Sequence, residues 1–420
     1  MREDIFFCVV GLGESGYAAA RLLAKKKISV RATDSSDNVE LRRKRSKLNR
    51  AGIKTELGSH SKKFYRGASL FVISPSVDKD NPVLRYALNN NIPVISEIEL
   101  AWMYSPAKVI AITGTNGKTS VATYTYKVLK NMGLSVYLAG NIGIPFASIV
   151  ENLCSNDIVV LELSSFQLEY TVNFHPYIAV LLNISEDHLD RHNSLQAYLD
   201  AKLKIFANQE RGDFAILDLT ERIIKEKSRS ISSKMLNISS CTVQGLDFNK
   251  KAVCLICDCL GFNRNKFLPV IRRLNGLKHR TEPIGSVGGV WFINDSKATN
   301  PHSTKWALKN IDSEVILIAG GRDKNTDFNI VKDEISEKVK ALVLIGEASQ
   351  KILNSLGGFV EVIKLAPDLK SAVNIAFKEA SRGDTVLLSP MCASFDMFKN
   401  YEHRGNMFKK IVGDFKKCGS

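Results

Sequence analysis

"ITGTNGKTS", residues 112–120, completes the apolar run "VIAIT" (109–113) and leads into "TSVATYTYKVLKNMG" (119–133), a helical pattern ended by Gly133. Strand, glycine loop and helix are all in place, the context a phosphate-binding loop requires. The ordinary loop reads G-x-x-x-x-G-K-[ST]. Gly117, Lys118 and Thr119 supply its end, but Ile112 holds the position of the first glycine and the nearer Gly114 stands in. Lys118 can neutralise β/γ-phosphate charge, and the Thr119 hydroxyl can ligate Mg²⁺. A strand-to-helix turn without a ligand is the plain alternative. The intact GKT in its expected setting argues against it.

Outward from this loop, short apolar runs alternate with helical patterns. Strands are predicted at "IFFCVV", "ISVRAT", "SLFVIS", "VIAIT", "DIVVLEL", "IAVLLNI", "VILIAG", "ALVLIG" and "TVLLSP", with another near 290. This alternation implies an α/β protein of parallel sheets flanked by helices. Such folds gather functional groups at the carboxyl ends of strands. Three blocks are expected, 1–97, 98–277 and 278–420, as suits a chain of 420 residues.

The chain is 45% hydrophobic and carries 58 basic against 43 acidic residues, a net +15. That excess favours anionic partners, either nucleic acid or phosphorylated small molecules. The densest run, "LRRKRSKLNR" (41–50), lacks interleaved aromatics and reads as a solvated helix face. No base-stacking aromatics or reading helix support nucleic-acid binding. The eight cysteines are scattered, which suits a reducing compartment. Cys254, Cys257 and Cys259 lie in an apolar run without a second Cys/His pair, so they read as small hydrophobes. The opening lacks a secretory pattern, and no run approaches the roughly 20 apolar residues of a membrane span. A cytoplasmic protein without membrane insertion is expected.

Several polar groups sit just after predicted strands. "GLGESG" supplies Gly11, Gly13 and Gly16, with Asp34 ending the next strand. This is a full G-x-G-x-x-G with its carboxylate, and implies a nucleotide without specifying NAD. Glu162 ends "DIVVLEL" and would suit Mg²⁺ beside a phosphate loop; an exposed edge glutamate is the alternative. "NISEDHLDRH" brings Asp187, His188, Asp190 and His192 together, as a metal loop or a merely solvated one. In "SLQAYLDAKLKIFAN", Lys202 falls on the apolar face, three residues after Leu199 and four after Tyr198. It either snorkels to water or is a desolvated, partly neutral amine open to modification.

Taken together, these residues resemble the Mur ligase family over essentially the whole chain. "GTNGKT" matches that family's shorter loop, which has no glycine at the Ile112 position. "GLGESGYAAARLL", "AGNIGIP", "DHLDRH", "AKLKIF", "GLKHR", "GGRDK" and "YEHRG" follow in the family's order. "LELSSFQLE", "NDSKATN" and "SPMCASFDMF" are similar to its D-glutamate-adding branch. The resemblance implies a Rossmann-like first domain for UDP, a central ATPase-type domain with a parallel sheet, and a Rossmann-like third domain for the amino acid. It implies an ATP-dependent amide ligase in peptidoglycan precursor synthesis, with UDP-N-acetylmuramoyl-L-alanine, D-glutamate and ATP as substrates, ADP and phosphate as products, and a monomer as the working form.

Site roles follow from the same resemblance. Ser15, Asp34, Ser35 and Ser74 match contacts to UDP. Gly114, Thr115, Asn116, Gly117, Lys118 and Thr119 match the ATP loop, with Arg280 and Asp295 as further nucleotide contacts. Asn141 faces phosphates and substrate. Two Mg²⁺ sites are implied, with Thr119, Glu162, His188 and Lys202 as ligands, Lys202 after carbamylation by CO₂. Lys118, Asn141, His188 and Lys202 form the implied catalytic set. Lys297, Thr299, Lys324, Ser394, Phe395 and Tyr401 match the pocket for D-glutamate. One departure stands out. The family's G-x-H-N-x-x-N element for adenine corresponds to "GLDFNKK" (245–251), where the His and Asn residues are lost or displaced.

Overall fold

The computed structural model describes residues 5–187, 189–274, 276–323 and 326–418. His188 and Lys324 therefore lie outside the described residues. β-Branched and apolar runs that can be covered on both faces form three sheets. The first contains β1 (Phe6–Val10), β2 (Val30–Asp34), β3 (Lys54–Leu57), β4 (Ala68–Ile73) and β5 (Val94–Ser96). Its order is β3-β2-β1-β4-β5, with every pairing parallel.

The second sheet contains β6 (Lys108–Thr113), β7 (Val136–Gly140), β8 (Ile158–Glu162), β9 (Ile178–Leu181), β10 (Phe214–Leu217) and β11 (Lys234–Asn237). It is wholly parallel in the order β11-β10-β9-β6-β8-β7. The third contains β12 (Glu282–Val287), β13 (Val290–Asn294), β14 (Val315–Gly320), β15 (Val339–Ile345), β16 (Val362–Leu365) and β17 (Thr385–Leu388), ordered β12-β13-β17-β14-β15-β16. Only the β12–β13 hairpin is antiparallel.

The chain divides into two compact units, residues to 184 with 191–274, and 185–190 with those after 274. In the first unit one core runs through both sheets, joining Leu12, Ile98, Phe146, Leu163 and Phe174. Each such buried side chain contributes about 2 kcal/mol. The helix Glu97–Met103 adds polar fixings between the sheets. Glu99 accepts the N–H groups of Val172, Asn173 and Phe174, each at 2.9 Å. Glu97 accepts that of Ala147 at 2.6 Å.

In the second unit, successive residues of β14 serve opposite faces, as period-2 geometry demands. Leu317 and Ala319 enter one core, Ile316 and Ile318 the other. The basic run forms the helix Val39–Arg50, with Leu41 and Leu48 on its buried side. Cys254 and Cys257 are buried on the helix Phe248–Cys259. Among the described residues, no helix is long and apolar enough to cross a membrane.

Candidate active site

β6 ends at Thr113, and the loop turns into the helix Lys118–Asn131 through Gly117, the residue capping it. Gly117 has φ +84°, a left-handed conformation that strains any residue with a Cβ. A Cβ there would also stand 2.6 Å from the Asn249 side-chain oxygen. The altered stretch 245–251 thus places an asparagine against the phosphate loop, at the start of a helix capped by Asp247. Asn183, at the end of "IAVLLN", holds the loop from the other side. Its carbonyl accepts the Thr115 N–H at 3.0 Å, and its amide exchanges bonds with Asn116 at 2.8 and 3.1 Å. Sequence reasoning missed both asparagines. The only signal for Asn183 was its place at a strand's carboxyl end.

Lys118 Nζ donates to the Gly114 and Thr115 carbonyls at 2.8 and 2.6 Å. Lys202 Nζ donates to the same Gly114 oxygen at 2.9 Å and reaches Thr113 Oγ1 at 3.5 Å. It lies 4.4 Å from the Tyr198 ring centroid. Lys202 is only 1% exposed, so it does not snorkel to water. Two ammonium groups converge on one carbonyl. At an effective dielectric of about 20, like charges about 5 Å apart repel by about 3 kcal/mol. The arrangement favours anions at the loop.

A carboxylate stands on the neighbouring strand. Glu162, 2% exposed, pairs with Ile112 across the β6–β8 ladder. Its Oε1 accepts from Asn141 Nδ2 at 2.8 Å, and the Asn141 N–H bonds the Glu162 carbonyl at 2.8 Å. Its Oε2 is buried with no hydrogen-bond partner among the described residues. An orphaned buried carboxylate oxygen suits a hard divalent cation. The Glu162 and Asn141 expectations therefore meet in one place.

Of the described residues of "NISEDHLDRH", Asp187 and His192 fall in different units. Asp187 belongs to the second unit and accepts from Asn300 Nδ2 at 3.2 Å. His192 belongs to the first, is buried, bonds Ser165 Oγ at 2.9 Å and stacks on Phe166. That is a packed, hydrogen-bonded histidine.

In the first sheet, "GLGESG" leads into the helix Glu14–Lys25. Gly16 packs so tightly that a Cβ would fall 1.8 Å from the Gly11 carbonyl oxygen. Asp34 uses both oxygens on the main chain, accepting from Leu12 N at 2.7 Å and Ser36 N at 2.9 Å. Buried Ser74 donates to the Gly11 carbonyl at 2.8 Å. Ser15 is half-buried and Ser35 exposed. Asp34 and Ser74 thus shape the loop itself.

In the second unit Asp295 follows β13, where Thr281 N and Ser389 Oγ reach its oxygens at 3.1 and 2.8 Å. Burial pushes its carboxyl up to about 7, against the pull of those bonds and of Arg280. Arg280 Nε is buried without a partner among the described residues. Lys297 Nζ lies 5.0 Å from the Tyr401 ring centroid. Thr299 is half-buried and Ser394 is buried, while Phe395 is 63% exposed.

Comparison with known proteins places this geometry. Three family profiles match in order: "Mur ligase MurD-like, N-terminal domain" over residues 6–96, "Mur ligase middle domain" over 112–253, and "Mur ligase, glutamate ligase domain" over 279–392. The UDP-N-acetylmuramoylalanine--D-glutamate ligase of Geotalea uraniireducens is 38% identical, covering 96% of both chains. Its namesakes in Geotalea daltonii and Koribacter versatilis are 39% and 37% identical, again covering 96% of each chain. Among solved structures, the MurF ligase of Thermotoga maritima in complex with ADP shares the fold with TM-score 0.61 at 14% identity, covering 99% of this chain and 100% of that one. The UDP-N-acetylmuramate-alanine ligase of Thermotoga maritima gives TM-score 0.58 at 17% identity with the same coverage. The chain belongs to the Mur ligase family.

Proposed function

We propose that this chain is an ATP-dependent amide ligase that adds D-glutamate to UDP-N-acetylmuramoyl-L-alanine, giving ADP and phosphate, in cytoplasmic peptidoglycan precursor synthesis. Relatives of that name, 34–39% identical over nearly the whole chain, support the substrates. The observation that carries the chemistry is the convergence of Lys118 and Lys202 on the Gly114 carbonyl, beside a carboxylate with an unpartnered oxygen. The proposed blocks are 1–97 for UDP, 98–277 for ATP and 278–420 for the amino acid, in a monomer.

In this reading Ser15, Asp34, Ser35 and Ser74 shape the UDP site. The loop Gly114–Thr119 wraps the ATP phosphates, and Lys118 leaves its own carbonyls for β/γ oxygens. Arg280 and Asp295 complete nucleotide binding. Thr119, Glu162, His188 and Lys202 would hold Mg²⁺ at two sites, which when bound withdraws charge from the phosphates. Lys202 serves as a carbamate: its neutral amine adds CO₂ and releases a proton, turning one of two crowded cations into an oxygen donor. The substrate carboxylate attacks the γ-phosphorus and ADP leaves. The amine of D-glutamate then attacks the acyl phosphate, losing a proton, and phosphate departs. Lys297, Thr299, Lys324, Ser394, Phe395 and Tyr401 receive D-glutamate. Positioning and charge stabilisation supply most of the rate.

The test is phosphate release from ATP with Mg²⁺ and UDP-N-acetylmuramoyl-L-alanine, comparing D-glutamate with L-glutamate, L-alanine and diaminopimelate. Release that requires both the nucleotide sugar and D-glutamate is the expected result. Release with another amino acid would keep the reaction and move the substrate. No release with any of them, on folded protein, would remove the ligase reading.

A further inference from the structure

The helix Tyr401–Cys418 carries Arg404 in its first turn, and that side chain is fully buried at 0% exposed. Arginine is almost never buried unless paired. Here Nε donates to Ser296 Oγ at 3.0 Å, and Nη2 to the carbonyls of Ser296 and Cys392 at 2.9 and 3.1 Å. All three acceptors are neutral. Nη1 is buried with no hydrogen-bond partner among the described residues, and lies 3.2 Å from where a Cβ on Gly321 would sit. Burial lowers the guanidinium to about 10, opposed by Cys392 and Asp396, so it keeps its charge near neutrality. Burying a charge whose hydrogen bonds all go to neutral groups is costly, even with Asp396 near enough to act on it, and the first turn of a helix is where a cation is least welcome.

The neighbours of Arg404 give that cost a purpose. Ser296 precedes Lys297, and Cys392 lies two residues before Ser394. The fork of Arg404 therefore ties together segments 295–299 and 391–395, which are distant in sequence and both carry proposed D-glutamate contacts. Ser296 Oγ also donates to the Tyr401 carbonyl at 2.8 Å, fixing the residue whose ring faces Lys297. We propose that Arg404 is a positioning residue of the amino-acid pocket, whose two-armed grip sets the pocket walls and whose charge, with Nη1 lacking a hydrogen-bond partner among the described residues, favours an acceptor with a second carboxylate. This rests on the ligase reading above. A carboxylate near such a cation gains charge-assisted stabilisation that a carboxamide of the same shape lacks.

The experiment is steady-state phosphate release by the full chain with D-glutamate or D-glutamine as acceptor, for wild type, Arg404→Met and Arg404→Lys, each checked for folding by circular dichroism. Arg404→Met should raise KM for D-glutamate about tenfold, leave KM for ATP within about twofold, and cut the kcat/KM preference for D-glutamate over D-glutamine by about tenfold. Arg404→Lys keeps the charge and loses the fork. It should raise KM for D-glutamate while preserving the preference. A folded Met variant with an unchanged preference overturns the inference, as does one that loses kcat with both acceptors alike. Should the Met variant not fold, the Lys variant decides: an unchanged KM, or a collapsed preference, overturns it. Wild type without D-glutamate-dependent release removes the ligase reading before any variant is made, so the two failures are distinguishable.

Discussion

Lys202 in the first unit and Arg404 in the second are both almost completely buried, at 1% and 0% exposed, yet they are different residues in different settings. Lys202 lies in the last turn of the helix Leu195–Leu203, where the helix dipole welcomes a cation. Its nitrogen reaches the Gly114 carbonyl, which Lys118 also uses. Arg404 lies in a first turn, against the dipole, and spreads its bonds over Ser296 and Cys392. A lysine can shed a proton and accept CO₂, whereas an arginine stays charged and holds a fixed fork. In the proposed reading, one place holds a cation that is converted and the other a cation that persists.

Exchanging the residue types breaks this comparison most sharply. Lys202→Ala should lower turnover by about 10³-fold or more, the scale seen when a group acting on transition-state charge is lost. Added short-chain carboxylate should restore part of it, by supplying the oxygens of the carbamate. Lys202→Arg should be as inactive as Lys202→Ala and resist rescue, because the guanidinium fills the space and cannot be carbamylated. Phosphate release with and without acetate is the measurement. An active Lys202→Arg variant would mean that charge alone suffices there, and the carbamate would have to be abandoned.

The two cations also differ in how readily the sequence disclosed them. Lys202 interrupted an apolar helical face, a local signal. Arg404 bonds Ser296 across 108 positions, and no local period marks it. The same holds within the phosphate loop. "GTNGKT" is contiguous and spells its chemistry, while Asn183 lies 67 residues from the Asn116 it clamps. Glu162 was legible as the end of an apolar strand. Its orphaned oxygen was not, since that depends on what surrounds it. Strands divide in a similar way. Interior runs such as "VILIAG" were read, while β3, β5, β7, β11, β12 and β16, the six sheet edges, were not, nor was β10. Edges need not be apolar on both faces and often carry charge or proline, as in "KTEL", "KMLN" and "EPIGSV".

Asn249 asks whether the first unit's loop is held from outside, as Arg404 holds the second unit's segments. Its side chain meets Gly117 from the helix Phe248–Cys259. Asn249→Ala should raise KM for ATP by about fivefold, the loss of about 1 kcal/mol of contact, with kcat changed less than twofold. Steady-state kinetics against ATP tests this. A fall in kcat at unchanged KM would instead place Asn249 in the transition state and make the loop self-supporting.

A matched pair of carboxyls gives the smallest and finest test, because it concerns stability and not turnover. Glu97 in the first unit and Asp295 in the second are both pushed up to about 7 by burial. Glu97 has one oxygen without a partner among the described residues, whereas both Asp295 oxygens accept hydrogen bonds. The folded protein holds these protons at pH values where the unfolded chain has released them. Each group therefore contributes stability that is complete below about pH 4 and lost as pH rises through about 7. The slope is about 1 kcal/mol per pH unit for each proton. Urea midpoints at pH 5, 6, 7 and 8 should fall for wild type and fall less steeply for Glu97→Gln and for Asp295→Asn. Equal slopes in wild type and Glu97→Gln would mean that Glu97 is ionised in the fold. Its bond from Ala147 would then be holding a charge.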